Sequence, residues 1–195
     1  MLQRIMNIAM KPNEEWPVIA AEPTSTAALY TKYIIPLSAI GPVCGFLSAA
    51  MWGQSVAFTG IKVVPAISTL LMLMVMTYLL GLAWVAVMAL ILQKLAPSFK
   101  SQGTFVDALK LVTFSQAPYW IASVISLVPY LGILASLVSL YGLYLSYLGL
   151  PHVMRTPEDQ RFPYLGVVIV VSIVAMALLS ILPALLVGWM MSMNG

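Results

Sequence analysis

The sequence predicts an all-α fold: a polytopic membrane helical bundle with five transmembrane helices, the N-terminus cytoplasmic and the C-terminus outside. Three observations carry that expectation: composition, the spacing of the charges, and their sidedness. Of 195 residues, 62% are hydrophobic and 8% are charged. A water-soluble domain carries roughly a quarter charged residues. So little charge cannot cover a chain of this size in water, and lipid must solvate most of its surface.

The charges mark the spans. Lys32 and Lys62 bracket 29 uncharged residues, Lys62 and Lys94 bracket 31, Lys110 and Arg155 bracket 44, and 34 follow Arg161. A hydrocarbon core of about 30 Å takes about 20 helical residues. The longest stretch would make a helix of about 66 Å, twice what one crossing needs. Its break is Pro129-Tyr130-Leu131-Gly132, a turn signal near the middle. The predicted spans are therefore 34–52, 65–93, 107–128, 131–150 and 164–191. The second of these, at about 43 Å, is long enough to tilt or project from the bilayer.

Sidedness fixes the orientation. Arg4, Lys11, Lys32, Lys94, Lys100, Lys110, Arg155 and Arg161 fall on one side of these spans, and Lys62 alone on the other. The basic side is cytoplasmic by the positive-inside rule. Tyr30, Tyr33 and Tyr164 at inner ends, and Trp52, Tyr130 and Trp189 at outer ends, are placed as interfacial anchors. No cleavable leader is expected, because residues 1–10 lack a continuous apolar core.

Residues 1–29 read as a short cytoplasmic or interfacial segment, and 30–195 as the five-span domain. Leu2, Ile5, Met6 and Ala9 share a helical face suited to the inner interface. Pro12 ends that helix, and Trp16, Val18 and Ile19 are expected near the headgroup boundary. Thr24-Ser25 can cap the first span. Thr104-Phe105-Val106-Asp107 has the form of a capping box for the third. Asp107 and Lys110, three residues apart, are expected to pair on the surface.

Three groups of residues stand out within the spans. Gly41 and Gly45 in the first span, and Gly132, Ser139, Gly142, Ser146 and Gly149 in the fourth, form small-residue faces. Such faces let helix backbones approach in lipid, for packing within the chain or in a homo-oligomer. Pro42, Pro118 and Pro183 lie inside spans and should bend them, since each removes one helical donor. Gln116, Tyr119, Ser123 and Ser126 make a polar face on the third span. That face suits interhelical hydrogen bonding or a small hydrophilic site.

Chemistry-bearing constellations are not evident. Cys44 is the one cysteine and His152 the one histidine. No catalytic, cofactor-binding or metal-ligating residues are expected, and no motif for a nucleophilic hydrolase, a zinc peptidase or a phosphate loop is present. The formal charge of +3 is scattered, unlike a nucleic-acid-binding face. The spans carry no carboxylate or base for proton coupling. The expected partners are the lipid bilayer and, beyond it, the chain itself or other membrane proteins. The expected function is that of a non-enzymatic membrane-organising or protein- or lipid-interacting bundle. The alternative is a transporter or permeation subunit using the polar face of the third span.

Several stretches follow one another in an order that resembles a known family. KPNEEWPVIAAEP carries Pro12, Trp16, Ile19 and Glu22; YTKYIIPL spans Tyr30 to Leu37; FSQAPYW lies in the third span. Then comes VPYLGILASLVSLYGLYLSYLGLPHVMRTPEDQR. The pattern looks like the Yip family, five-span membrane proteins named for interaction with Rab-type GTPases, and especially its bacterial branch. The resemblance implies five spans, a cytoplasmic N-terminus and a short C-terminus outside. The Asp-Leu-Tyr-Gly-Pro motif of eukaryotic members does not occur in this sequence. The resemblance therefore implies an integral protein of the bacterial inner (plasma) membrane rather than a Rab-binding role, and it assigns no functional residues.

Overall fold

The computed structural model describes residues 2–55, 62–63, 65–128 and 131–193; for 54–55, 62–63, 132–133, 135–136 and 180–193 it describes the backbone alone. Helix α1 runs Leu2–Met10 and α2 Pro12–Ala21. Pro12 both stops α1 and starts α2, because it has no N–H to continue one helix yet suits the first turn of the next.

The first long apolar segment is broken by its prolines. Helix α3, Thr26–Leu29, is capped by Ser25, whose hydroxyl accepts from the Ala28 N–H. A π-turn over Tyr30–Ile34 leads into α4, Ile35–Ser38. Pro36 cannot donate back to Lys32, and the Ile35 N–H instead reaches Tyr30, five residues back. Pro42 likewise has no N–H for the Ser38 carbonyl. There α4 ends, and α5 resumes over Ile40–Trp52. The bend expected at Pro42 is thus a break at Ala39. Gly53 closes α5 with a φ of 72°, which only glycine adopts freely.

A two-residue antiparallel pair, β1 (Gln54–Ser55) with β2 (Lys62–Val63), precedes α6. Helix α6 runs unbroken over Ile67–Leu95 and tightens into a 3₁₀ turn at Ala96–Phe99, where Pro97 sits. Helix α7, Phe105–Ala122, opens on the expected capping box, with Thr104 and Asp107 each satisfying the other's backbone N–H. It continues past Pro118 and ends in a 3₁₀ stretch, Ser123–Leu127. Helix α8 covers Gly132–Val153; after a 3₁₀ turn at Glu158–Gln160, α9 covers Arg161–Met193. The break at Pro129-Tyr130 lies outside the described residues, as does the Pro183 side chain.

Helix α7 is the hub. Residues 108–115, with Ala117 and Trp120, are buried on every side of it. Helix α8 packs antiparallel along it, α6 takes another flank, and α1 to α5 close the rest. The first segment and α6 also run antiparallel and are clipped in both directions. Tyr30 donates to the Leu82 carbonyl and Tyr78 to the Ile35 carbonyl, each at 3.1 Å. The Ile35 carbonyl is the one that Ala39 abandons, since the Ala39 N–H turns to Leu37. Tyr78 therefore satisfies a group that the proline break would otherwise strand in an apolar setting.

Among the described residues, three helical runs are long and apolar enough to cross a membrane: Thr26–Trp52, Ile67–Phe99 and Glu158–Leu179. Their outward residues, such as Leu71, Val75, Leu79, Val170 and Ile173, are exposed and apolar. The other two expected spans, 107–128 and 131–150, are the α7–α8 pair and fall outside that set. Helix α7 carries Asp107, Lys110 and Gln116, and protein covers most of it.

Several local expectations are corrected. Trp16 and Ile19, placed at the headgroup boundary, are fully buried in the bundle, while Val18 points outward. Tyr164, placed as an interfacial anchor, is buried, stacks on Phe99 (centroids 4.9 Å apart) and donates its hydroxyl to the Leu92 carbonyl. Asp107 and Lys110 do not pair; Asp107 is held in the capping box and Lys110 turns the other way.

Candidate functional site

The densest polar arrangement joins the α1–α2 hairpin to α7 and α8. It starts from two helix ends. The last carbonyls of a helix have no intrahelical donor and carry partial negative charge. Tyr141 of α8 donates to the Ala9 carbonyl at the end of α1, at 2.7 Å. Lys110 of α7, only 5% exposed, donates to the Ala20 and Glu22 carbonyls at the end of α2, at 3.2 and 2.7 Å. A buried ammonium is costly unless anions or dipoles surround it, and the α2 terminus supplies the dipoles.

The acidic and basic side chains of the hairpin bind one another. Arg4 pairs through Nε with Glu15 at 3.3 Å and through Nη1 with Glu22. Asn7 adds a hydrogen bond to Glu15 at 3.1 Å. The two helices are therefore tied side to side before they dock. Tyr33 and Phe114 meet edge-on at 5.0 Å, and with Ile19, Leu29, Lys110 and Glu22 they line a crevice of about 10 Å³. That volume is the least that holds one water.

The docking surface is cut by glycines. A Cβ at Gly149 would lie 2.7 Å from the Trp16 ring and 2.5 Å from Leu111; one at Gly142 would lie 2.8 Å from the Ser115 carbonyl oxygen. The two glycines sit seven residues apart, with buried Leu145 between them, so one face of α8 meets α7 along two turns. Ser146, on the same helix, returns its hydroxyl to the Gly142 carbonyl at 3.0 Å. Gly41 faces Ser123 at ordinary contact distance, whereas Gly45 has nothing within 4 Å. Ser139 is exposed, and the surroundings of Gly132 lie outside the described residues.

The expected polar face of the third span is not drawn together into a network. Ser123 donates to the Trp120 carbonyl and Ser126 to the Ser123 carbonyl, both at 2.6 Å within their own helix. Tyr119 is exposed. Gln116 is half-buried, and no hydrogen bond joins its amide to a described residue.

Sequence reasoning missed Lys110, Tyr141, Arg4, Glu15 and Trp16 as one unit. Part of the signal was available. Ile5 and Ile8 in α1, and Trp16 and Ile19 in α2, are apolar at helical spacing. The apolar arc of α1 is wide enough for two strips: Ile8, Ile5 and Ala9 against the protein, and Leu2, Met6 and Met10 outward.

A family model for the Yip1 domain matches residues 6–190, a range that takes in most of α1 and all of α2. No curated protein matches the chain, and no solved structure does.

Proposed function

The chain belongs to the Yip1 domain family, and from that premise we propose that it is a non-enzymatic organiser of the membrane, a helical bundle that binds lipid and neighbouring membrane proteins. It is an integral membrane protein with apolar helices. The observation that carries the proposal is the fate of its charged groups. Arg4, Glu15, Glu22 and Lys110, which the fold gathers in one place, are engaged with one another and with helix-end carbonyls. They hold the bundle together, which leaves the outward apolar strips as the working surface.

In this reading α7 and α8 are the third and fourth of five crossings, the N-terminus is cytoplasmic, and the membrane is the bacterial inner membrane. The eight-to-one distribution of Lys and Arg supports the orientation. The outward strip Leu2, Met6 and Met10 then lies against the cytoplasmic leaflet as an interfacial helix does. Gly45, with exposed Val43 and Leu47 beside it, offers a smooth face for a second copy or another membrane helix. A transport reading has less support, because Ser123 and Ser126 are committed to carbonyls of their own helix.

Reconstitution into liposomes tests the proposal. The expected outcome is a protein-dependent change in vesicle size or lipid order without saturable solute flux. Saturable flux that Gln116→Leu abolishes would replace this reading with transport. Reporter fusions near Arg155 and at Gly195 test the topology; a cytoplasmic signal at Gly195 would overturn five crossings.

A further inference from the structure

An open apolar groove lies between α6 and α9, the two longest helices among the described residues. Val87, Leu90, Ile91 and Leu95 of α6 and Val171 of α9 line it, and its volume is about 290 Å³. Lys94 closes one end. The helices on either side are fixed to each other beneath it. Tyr164 donates to the Leu92 carbonyl; the Ser172 hydroxyl, which donates to the Val168 carbonyl of its own helix, lies 3.0 Å from the Met88 sulfur; and Tyr164 and Val168 are buried. The groove is thus a built feature of a held helix pair.

Both helices are long and apolar enough to cross a membrane, so their outward groove faces hydrocarbon. Water has no favourable partner among five aliphatic side chains. An acyl chain does. Val87 to Lys94 covers seven residues, about 10 Å along the helix, so an acyl chain in the groove leads directly to the ammonium. Lys94 is exposed, and no Asp or Glu among the described residues pairs with it. A lysine at the end of a crossing helix carries its charge to the headgroup level, where its natural partner is a phosphate. The same end of α9 holds Arg161, whose buried Nε–H has no acceptor among the described residues, its Nη1 lying 3.9 Å from Glu158. From this geometry we infer a phospholipid-binding site: one acyl chain in the α6–α9 groove and an anionic headgroup on Lys94. An anionic headgroup is favoured over a zwitterionic one because it brings no ammonium to compete with the lysine.

The inference rests on the lipid-interacting part of the proposed function and names the lipid class. Native mass spectrometry of the full chain in detergent, titrated with phosphatidylglycerol or phosphatidylcholine, tests it. The wild type is expected to bind phosphatidylglycerol about fivefold more tightly than phosphatidylcholine, the preference one surface lysine confers. Lys94→Gln, a surface change that leaves the packing intact, should bring phosphatidylglycerol down to the phosphatidylcholine level. Val171→Phe, which fills the groove from α9, should weaken both lipids. Equal binding of the two lipids by the wild type, or no effect of Lys94→Gln, would overturn the headgroup assignment. Unchanged binding in Val171→Phe would overturn the groove. These binding ratios do not depend on solute flux, so a liposome result that refutes the organiser reading leaves this test standing on its own.

Discussion

Gly142→Ala isolates a close approach of α8 to the backbone of α7. The added Cβ would stand 2.8 Å from the Ser115 carbonyl oxygen, about 0.6 Å inside ordinary contact at 3.4 Å. The obstructing atom belongs to the backbone of α7, so no rotamer change relieves it. Helices α7 and α8 must separate, and Leu145 and Leu111 loosen with them. Overpacking of this kind costs about 1–3 kcal/mol. Against it stands the helix preference of alanine over glycine, about 0.5–1 kcal/mol. The net expectation is a loss of roughly 1 kcal/mol, or a fall of about 2–4 °C in melting temperature for a chain of this size. Gly45→Ala and Gly81→Ala supply the control, because nothing lies within 4 Å of either site. There only the helix term acts, and stability should rise by about 0.5–1 kcal/mol. Thermal unfolding in one detergent compares all three. A rise for Gly142→Ala equal to that for Gly81→Ala would refute close packing of α7 on α8.

Lys110→Met removes two charge-assisted hydrogen bonds but also a buried charge; the net loss should be about 2 kcal/mol, with faster hydrogen exchange confined to α1 and α2. Trp16→Ala empties the notch at Gly149 and should cost about 3–5 kcal/mol in detergent melting. Tyr78→Phe strands the Ile35 carbonyl and should cost about 1–3 kcal/mol, whereas Tyr119→Phe, at an exposed hydroxyl, should stay within about 0.5 kcal/mol. Gln116→Leu should change stability by about 1 kcal/mol or less, because its amide holds no described neighbour.

Helix positions were legible because they depend on local signals. The expected second span, 65–93, is α6 at Ile67–Leu95; the capping box at Thr104 and Asp107 forms as its spacing dictates; and the long uncharged stretch does divide into α7 and α8. What could not be read depends on distant partners. Asp107 and Lys110 have the spacing of a surface pair, and nothing local says that the cap takes the aspartate while the end of α2, some ninety residues earlier, takes the lysine. Gly45 and Gly142 give the same small-residue signal, but only one has a backbone across from it. The clasp between the loops after α6 and α8 was likewise invisible. There the Gln102 N–H meets the Met154 carbonyl at 2.9 Å and Ser101 meets Thr156 at 2.8 Å.

The polarity of α7 changes along its length, and so does its cover. Asp107, Lys110, Thr113 and Ser115 fall in its first eleven residues, where α1, α2, α6 and α8 surround it. From Tyr119 into the 3₁₀ stretch that follows, the exposed residues are Tyr119 and the aliphatic Ile121, Val124 and Ile125. Helix α8 follows the same gradient, open at Leu134, Leu137 and Leu140 and closed from Leu145 to Val153 apart from its rim. A bare α7 would set its ammonium and hydroxyls against hydrocarbon at several kcal/mol. The hairpin covers those groups, with Ile5, Ile8, Trp16 and Ile19 turned inward. Its outward face carries Leu2, Met6 and Met10 beside the exposed polar residues Gln3, Asn7, Lys11 and Glu14. The N-terminal hairpin is therefore part of the cover of α7, and the Yip1 domain match, which begins at residue 6, takes in part of α1 and all of α2.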